Sequence, residues 1–569
     1  MRVAVAVTLA LATGIGPAVA ADPPVYIPRA SAPPPGLWTW TGFYGGTHSG
    51  GGFGITRFKG TGPSIYGDTV RSPMALGGAQ VGYNWQMPGT AFVLGVEADG
   101  SFVTSDGSNT CLASSGAILS ANCRVKQTFG GSVTGRAGYA AGENGRTLLF
   151  VKAGVAALHE TIDITTNGGP YPPIMTTTSS TRFGWTAGAG VERALTPAWS
   201  LKFEYDYMDF GGEKIPTPIT FLQLGPLENR YVALPGGTVD ARQSAHMIKV
   251  GVNAKLGQDL AAGWRPVAQD YSLRGVPNDV APTVDIEVGT RAWYSFGRHQ
   301  KDLGGSSLPF EQNFLVSRLT YDSSAWSGEA FGRVDTAEGV FLKGFAGGGK
   351  LVSGKMHDED WLIAGNTVPY SNTLSDPVKG SLGYATLDLG YAFLKGPSAR
   401  VGSFIGYGYL KDSYSAYGCS QIVLPNLVCD PALSNATLVI TQDNVWHAAR
   451  FGLSSVVALG GGVTLSADAA WLPLVSFRGV DNHVLRTDVA DTVSKESGKG
   501  QGVQLEALVS YAFDPSFSVG AGGRYWSMWT DTDALVNIFG TACPCQTLPT
   551  RTERYGAFLQ AAYKFGTVK

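Results

Sequence analysis

Charge is scarce in this sequence: Asp, Glu, Lys and Arg make up 15% of its 569 residues, and the formal net charge is −2. Nucleic-acid backbones are held by clustered Lys and Arg, so this balance argues against a nucleic-acid partner. Long apolar runs are also missing. After the stretch from Val3 to Ile15 there is no uninterrupted apolar segment of about 18 residues, the length a spanning helix needs, so the mature chain is expected to have no helical anchor. Cysteine is sparse as well. The six residues fall into near pairs, Cys111 with Cys123, Cys419 with Cys429 and Cys543 with Cys545, and none has the second Cys or His pair of a zinc finger.

What the chain does have is glycine, 77 residues of it, and aromatic side chains at 11%. Much glycine and many aromatics with little charge suit strands that face lipid on one side and a polar lumen on the other. Arg2, the short apolar run and Ala18-Val19-Ala20 before Ala21 have the form of a secretory signal peptide over residues 1–20. An exported chain meets an oxidising compartment, where each near pair of cysteines can close a local disulfide; a loop the size of the first contributes roughly 3 kcal/mol.

The hydrophobic pattern has period two. In "WSLKFEYDYMDF", Trp199, Leu201, Phe203, Tyr205 and Tyr207 alternate with Ser200, Lys202, Glu204 and Asp206, which makes one face apolar and the other charged. In "RYGAFLQAAYKF", Tyr555, Ala557, Leu559, Ala561, Tyr563 and Phe565 alternate with Gly556, Gln560 and Lys564, and Phe558 is the misfit. A membrane cannot satisfy open sheet edges, so such strands in an exported, anchor-less chain predict a closed barrel. The alternative is a secreted soluble β-sandwich.

Eight candidate strands start near Thr41, Ala75, Phe92, Phe129, Leu148, Arg182, Trp199 and Ala245. Ten more start near Asp285, Phe314, Val340, Gly380, Ala399, Thr441, Val463, Gly502, Ser516 and Arg554. Even antiparallel barrels return both ends to the periplasm, so two can follow one another. The expected fold is therefore all-β, with two antiparallel transmembrane barrels in tandem, eight-stranded then ten-stranded. Residues 21–37 read as a Pro-rich periplasmic tail, 38–256 as the first barrel, 257–283 as a periplasmic linker carrying Pro266, Pro277 and Pro282, and 284–569 as the second barrel. A single eighteen-stranded barrel is the alternative, against which that linker is long for a periplasmic turn.

Two stretches of the second half carry chemistry. "KMHDEDW" holds Asp358 and Asp360, and "FRGVDNH" holds Asp481 and His483. Residues two apart on a strand face the same side, roughly 6.5 Å apart, so each pair can converge across a barrel mouth. Two close carboxylates push one to keep its proton, and an Asp beside a His fixes the imidazole tautomer and stabilises its charged form. Together they can activate a water for amide hydrolysis without a covalent intermediate. A divalent metal site built from His357 with these four is the competing reading, and strand alternation turns His357 away from its neighbours. Strict alternation also places Asp481 on the side of Leu465, Trp471 and Phe477, so either a bulge near Pro473 or strand ends that rise above the bilayer must relieve the conflict.

Four segments of the first half, "WTGFYGG", "GGAQVGYNWQ", "FVLGVEAD" and "GWTAGAGVE", resemble the small eight-stranded outer-membrane surface-antigen barrels. That resemblance implies a surface-exposed barrel tied to envelope integrity, without catalysis. The residues agree: His48, His159 and His246 have no paired nucleophile or carboxylate nearby in the sequence and read as strand or loop residues. In the second half "GKMHDEDW" and "VDNH", with "DIEVGT", "SRLTYDSSAWSGEAFGRVD" and "GYLKDSYS" in order, are similar to the omptin family of ten-stranded outer-membrane endopeptidases over about residues 284–565. What this implies is an outer membrane of a Gram-negative bacterium with the active site facing the exterior. Asp481 would orient His483, His483 would take the water proton, and Asp358 with Asp360 would hold the water. Polypeptide substrates, surrounding outer-membrane lipid and a requirement for lipopolysaccharide follow from the same resemblance, with no other cofactor and no metal. Two departures stand out. The acidic residues that favour basic cleavage sites are replaced by Gly297 and Gly479, which implies weak preference for Lys or Arg. The lipopolysaccharide ladder reads Tyr409, Lys411 and Ser413, with only the Tyr kept. A catalytically inactive structural or adhesive surface barrel, and a channel, are the other functions weighed.

Overall fold

Among the described residues every regular element of length is a strand. The computed structural model describes residues 38–59, 69–112, 121–166, 174–223, 231–258, 260, 284–304, 315–362, 368–396, 399–423, 428–487, 491–530, 535–537 and 549–566. The expected signal peptide, the Pro-rich tail, Cys543, Cys545 and nearly all of the expected linker lie outside the described residues.

The first ring comprises β1 (Gly42–Lys59), β2 (Thr69–Gln86), β3 (Phe92–Ser105), β4 (Ala121–Ala141), β5 (Thr147–Thr166), β6 (Met175–Ala194), β7 (Trp199–Pro216) and β8 (Thr238–Lys255). The second comprises β9 (Val284–Gly304), β10 (Leu315–Thr336), β11 (Val340–Leu362), β12 (Val378–Gly396), β13 (Ala399–Gln421), β14 (Leu433–Gly460), β15 (Val463–His483), β16 (Val493–Ala512), β17 (Phe517–Thr530) and β18 (Thr550–Gly566). Each strand pairs antiparallel with its neighbours in sequence. The rings close where β1 meets β8 and β9 meets β18. Eight and ten strands are thus the count read from period two. Their starts shift by several residues only where a strand begins above the apolar band, as at Leu433 and Val493.

Alternation sorts the faces. On β7, Lys202, Glu204 and Asp206 are buried in the lumen while Tyr205 is exposed. There the lumen is filled by an ion network: Lys202 reaches Glu97 at 2.8 Å, Lys249 reaches Asp99 at 2.8 Å, and Arg136 reaches Glu192 at 2.8 Å. The second lumen is filled differently. Trp293, Tyr384, Trp526 and the misfit Phe558 turn inward and pack in one cluster, and Arg524 lies over five aromatic faces while donating to Glu329 at 2.7 Å. Phe558 breaks the outward alternation of nothing; it simply occupies a lumen position.

Exposed aromatics mark the bilayer band. Phe296 opposes Tyr555 at one edge and Phe565 opposes Ile286 at the other, ten residues along β18, which matches the roughly 9–11 residues a tilted strand needs to cross the hydrocarbon. Strands of 21 to 23 residues such as β9 and β11 therefore rise well above it.

The two rings belong to one compact unit. Ala75, Leu201 and Val250 of the first pack in one cluster with Val401, Ala467 and Leu505 of the second. At Gly51 a Cβ would meet Met74 O of the first ring at 2.7 Å and Val503 Cγ2 of the second at 3.0 Å, so the missing side chain admits both approaches. Disulfides join Cys111 to Cys123 and Cys419 to Cys429.

Candidate active site

The candidate site lies at the raised end of the second ring. Lys301 is five residues beyond Phe296 on β9, and Asp358 is eight beyond Lys350, which pairs with the exposed Trp326. Both stand outside the membrane-spanning part of their strands.

Alternation on β11 points Asp358 and Asp360 inward and Glu359 outward. On β15 it would fail without a bulge. Leu472 pairs with Gly502 and Val475 with Gly500, so Pro473 and Leu474 oppose a single residue of β16. The extra residue flips the phase: Trp471 and Leu474 are exposed, whereas Val475, Phe477 and Asp481 are buried. Pro473 has no N–H to lose from the ladder, which suits it to that position. Thus β15 turns Asp481 and His483 into the same mouth as Asp358 and Asp360.

There His483 Nε2 lies 2.9 Å from Asp481 Oδ2. A carboxylate only accepts, so Nε2 carries the proton and Nδ1 is the basic nitrogen. The same oxygen accepts from Lys301 Nζ at 2.6 Å, and Lys301 also reaches Glu496 Oε1 at 2.8 Å. Ser317, opposite Asp360 on β10, hydrogen bonds to its carboxylate. Beneath the mouth His299, Tyr321, Tyr414 and Phe477 form an aromatic floor, with Tyr321 and Tyr414 centroids 4.9 Å apart. Buried polar atoms aimed into this space, Asp358 Oδ1, Asp481 Oδ1 and the Tyr321 hydroxyl, have no hydrogen-bond partner among the described residues. Such atoms are completed by water or by polar groups of a ligand.

The electrostatics separate the acids. Burial pushes the Asp481 carboxyl up, but Lys301 and then His483 outweigh it and hold Asp481 well below the usual carboxylate range. Burial, then the neighbouring Asp360, pushes Asp358 up to about 8. Asp360 is also raised, mainly by burial, against the pull of Ser317 and His483. Burial would lower His483, and Asp481 more than offsets it, so the imidazole sits above its ordinary value. His483 also feels Asp358 and Asp360 feels His483, which sets the two walls within electrostatic reach of one another. One ionised acid beside an imidazole, facing one protonated acid, is an arrangement that can take a proton from water and offer one to a developing oxyanion.

All four sequence-derived residues face this mouth. His357 does not; its Nδ1 lies 3.4 Å from Asn372 Oδ1, on the opposite side of β11. Lys301, Glu496, Ser317 and Tyr321 were not singled out by sequence. The available signal was the inward parity shared by His299 and Lys301 at the end of the first strand of the second ring. Gly297 and Gly479 leave room that other strands fill: a Cβ at Gly297 would meet Arg554 Nη2 at 2.4 Å, and one at Gly479 would meet Glu496 Oε2 at 2.4 Å. Tyr409 and Lys411 stand on the outer face of β13.

Residues 9–253 match the family model described as outer membrane protein beta-barrel domain. The 31 kDa outer-membrane immunogenic protein of Brucella melitensis is 31% identical over 248 residues, covering 42% of this chain and 93% of that protein. A 22 kDa outer membrane protein of Rhizobium leguminosarum is 31% identical over 176 residues, covering 30% of this chain and 65% of that protein. Among solved structures, the outer membrane protease OmpT of Escherichia coli is similar at a TM-score of 0.39 and 14% identity, over 51% of this chain and 100% of that one. The attachment invasion locus protein Ail of Yersinia pestis is similar at a TM-score of 0.18 and 14% identity, over 37% of this chain and 99% of that one. Through its first ring, the chain belongs to the outer membrane protein β-barrel family.

Proposed function

We propose that this outer-membrane protein is a two-part surface protein, in which the second ring is an endopeptidase and the first a non-catalytic surface barrel. The observation that carries the hydrolytic reading is the convergence of the Asp481–His483 pair, linked at 2.9 Å, with Asp358 and Asp360 at one raised mouth. His483 Nδ1 takes a proton from water, the hydroxide oxygen bonds to the amide carbon, and the protonated Asp358 donates to the oxyanion. Collapse breaks the C–N bond as the imidazolium returns the proton to the leaving amine. The mouth lies at the end of the second ring opposite the Phe565–Ile286 pair, and in this reading substrate polypeptides arrive there from the exterior.

Glu496 is tied to Lys301, and Arg554 fills the room above Gly297, so a Lys or Arg side chain of substrate finds no uncommitted carboxylate there. Weak preference for basic sites follows. Dependence on lipopolysaccharide is tested by comparing cleavage by the refolded protein with and without it; equal rates reject it.

The second reading, a catalytically inactive structural or adhesive protein throughout, is favoured by the relatives' names, which describe outer-membrane immunogenic proteins. The family model that matches covers residues 9–253, which hold the first ring and none of the second. Alanine at Asp481 or His483 separates the readings: cleavage of a peptide library should fall by orders of magnitude while heat-modifiable folding persists. A library left uncut by the unmodified protein rejects the endopeptidase.

A further inference from the structure

The strands that carry the candidate site have outward faces above the bilayer, where water is the expected neighbour. On three of these strand ends water is excluded. Arg318 and Glu359 are fully buried, and Gln300 and Asp302 nearly so. What covers them is the first ring. Its short strand Gly107–Cys111, closed onto β4 by the Cys111–Cys123 disulfide, lies against them.

The contact is polar and specific. Arg318 forks onto Asp302, Nε to Oδ1 at 2.7 Å and Nη2 to Oδ2 at 2.9 Å. It then reaches across to the first ring, donating to Thr110 Oγ1 at 2.8 Å and Asn122 Oδ1 at 2.6 Å. Ser108 Oγ donates to Asp302 Oδ2 at 2.7 Å, and Gln300 Nε2 donates to the Ser108 carbonyl at 3.2 Å. Glu359 is buried at the same contact, and its Oε1 accepts from the Tyr370 hydroxyl at 2.8 Å.

Each braced residue is the chain neighbour of one that lines the mouth. Asp302 follows Lys301, Arg318 follows Ser317, and Glu359 stands between Asp358 and Asp360. A strand end rotated about its axis moves both faces together. We propose that the Ser108–Thr110–Asn122 surface of the first ring is an intramolecular brace, and that Arg318 is a positioning residue that sets the depth and rotation of the strand ends holding the water site. The proposal rests on the endopeptidase reading for its consequence on rate, though the brace itself does not. Misplacement by about 1 Å can cost ~100-fold in rate.

The test uses the full chain, refolded, with Ser108→Ala, Thr110→Val and Asn122→Ala combined, and separately Arg318→Met in case the triple variant fails to fold. Hydrogen exchange at residues 300–304 and 357–361 and kcat and KM on a library-derived peptide are measured together. Faster exchange at those ends, with kcat lowered ~10–100-fold and KM changed far less, is the expected result. Thr110→Ser, which keeps the hydroxyl, should restore both. Unchanged exchange overturns the brace. Faster exchange with unchanged kcat overturns the positioning role. An unmodified chain that cleaves nothing removes the endopeptidase reading and the positioning role with it, while the exchange data still decide whether the rings are coupled.

Discussion

In the proposed hydrolysis, His483 and Asp358 set opposite limits. His483 would work as a neutral base, and its imidazole is held above the ordinary 6.5, so activity should be lost as pH falls through a value higher than that. Asp358 would work with its proton on, and that proton leaves near pH 8, so activity should be lost again above it. The expected kcat/KM profile is a narrow bell between those limits, whose apparent values belong to the coupled group. Lys301 contributes to both Asp481 and His483 by opposing protonation. With Lys301→Met, both groups bind protons more readily, so the acidic limb should move to higher pH, with a larger loss at pH 6 than at 7.5; an unmoved limb would leave Lys301 a merely structural partner.

At the scale of the element, β15 shows how a single extra residue decides a site. Below Pro473 the odd positions face outward, Trp471 to lipid and Ala467 and Ala469 to the first ring, and above Leu474 they face the lumen. Deleting Leu474 restores strict alternation and turns Asp481 and His483 outward. Cleavage should drop to background while the ring still closes, as heat-modifiable migration would register. A conflict was legible, because phase and motif disagreed there; that a bulge rather than a raised strand end resolves it was decided by the ladder. Asp358 and Asp360 were legible for the opposite reason, since period two and the motif agreed. Lys301, Glu496 and Ser317 were not, because nothing local ties them to Asp481 or Asp360.

Across the whole molecule, both rings have filled lumens. The first is filled by ion pairs such as Lys202 with Glu97, and the second by Trp293, Trp526 and Phe558 around Arg524. Planar bilayers containing the protein should therefore show no steady single-channel conductance; well-defined openings would restore the channel reading. Between the rings, Gly51 admits a close approach to Val503. Gly51→Leu should overpack that contact and cost about 1–3 kcal/mol, read as a lower thermal midpoint of the refolded full chain. An unchanged midpoint would mean the rings do not bear on each other there.

Strand number, face and the two acidic motifs were determined by sequence alone, because the pleat repeats every two residues and each strand must satisfy lipid on one side. Which distant residues meet was decided only by ring closure and by the packing of one ring on the other. Lys301 reaches Asp481, and Arg318 reaches Thr110, only because strands far apart in the chain are brought to the same height and the same wall. Local periodicity carries no record of such meetings, since each partner alone reads as an ordinary charged residue near the end of a strand.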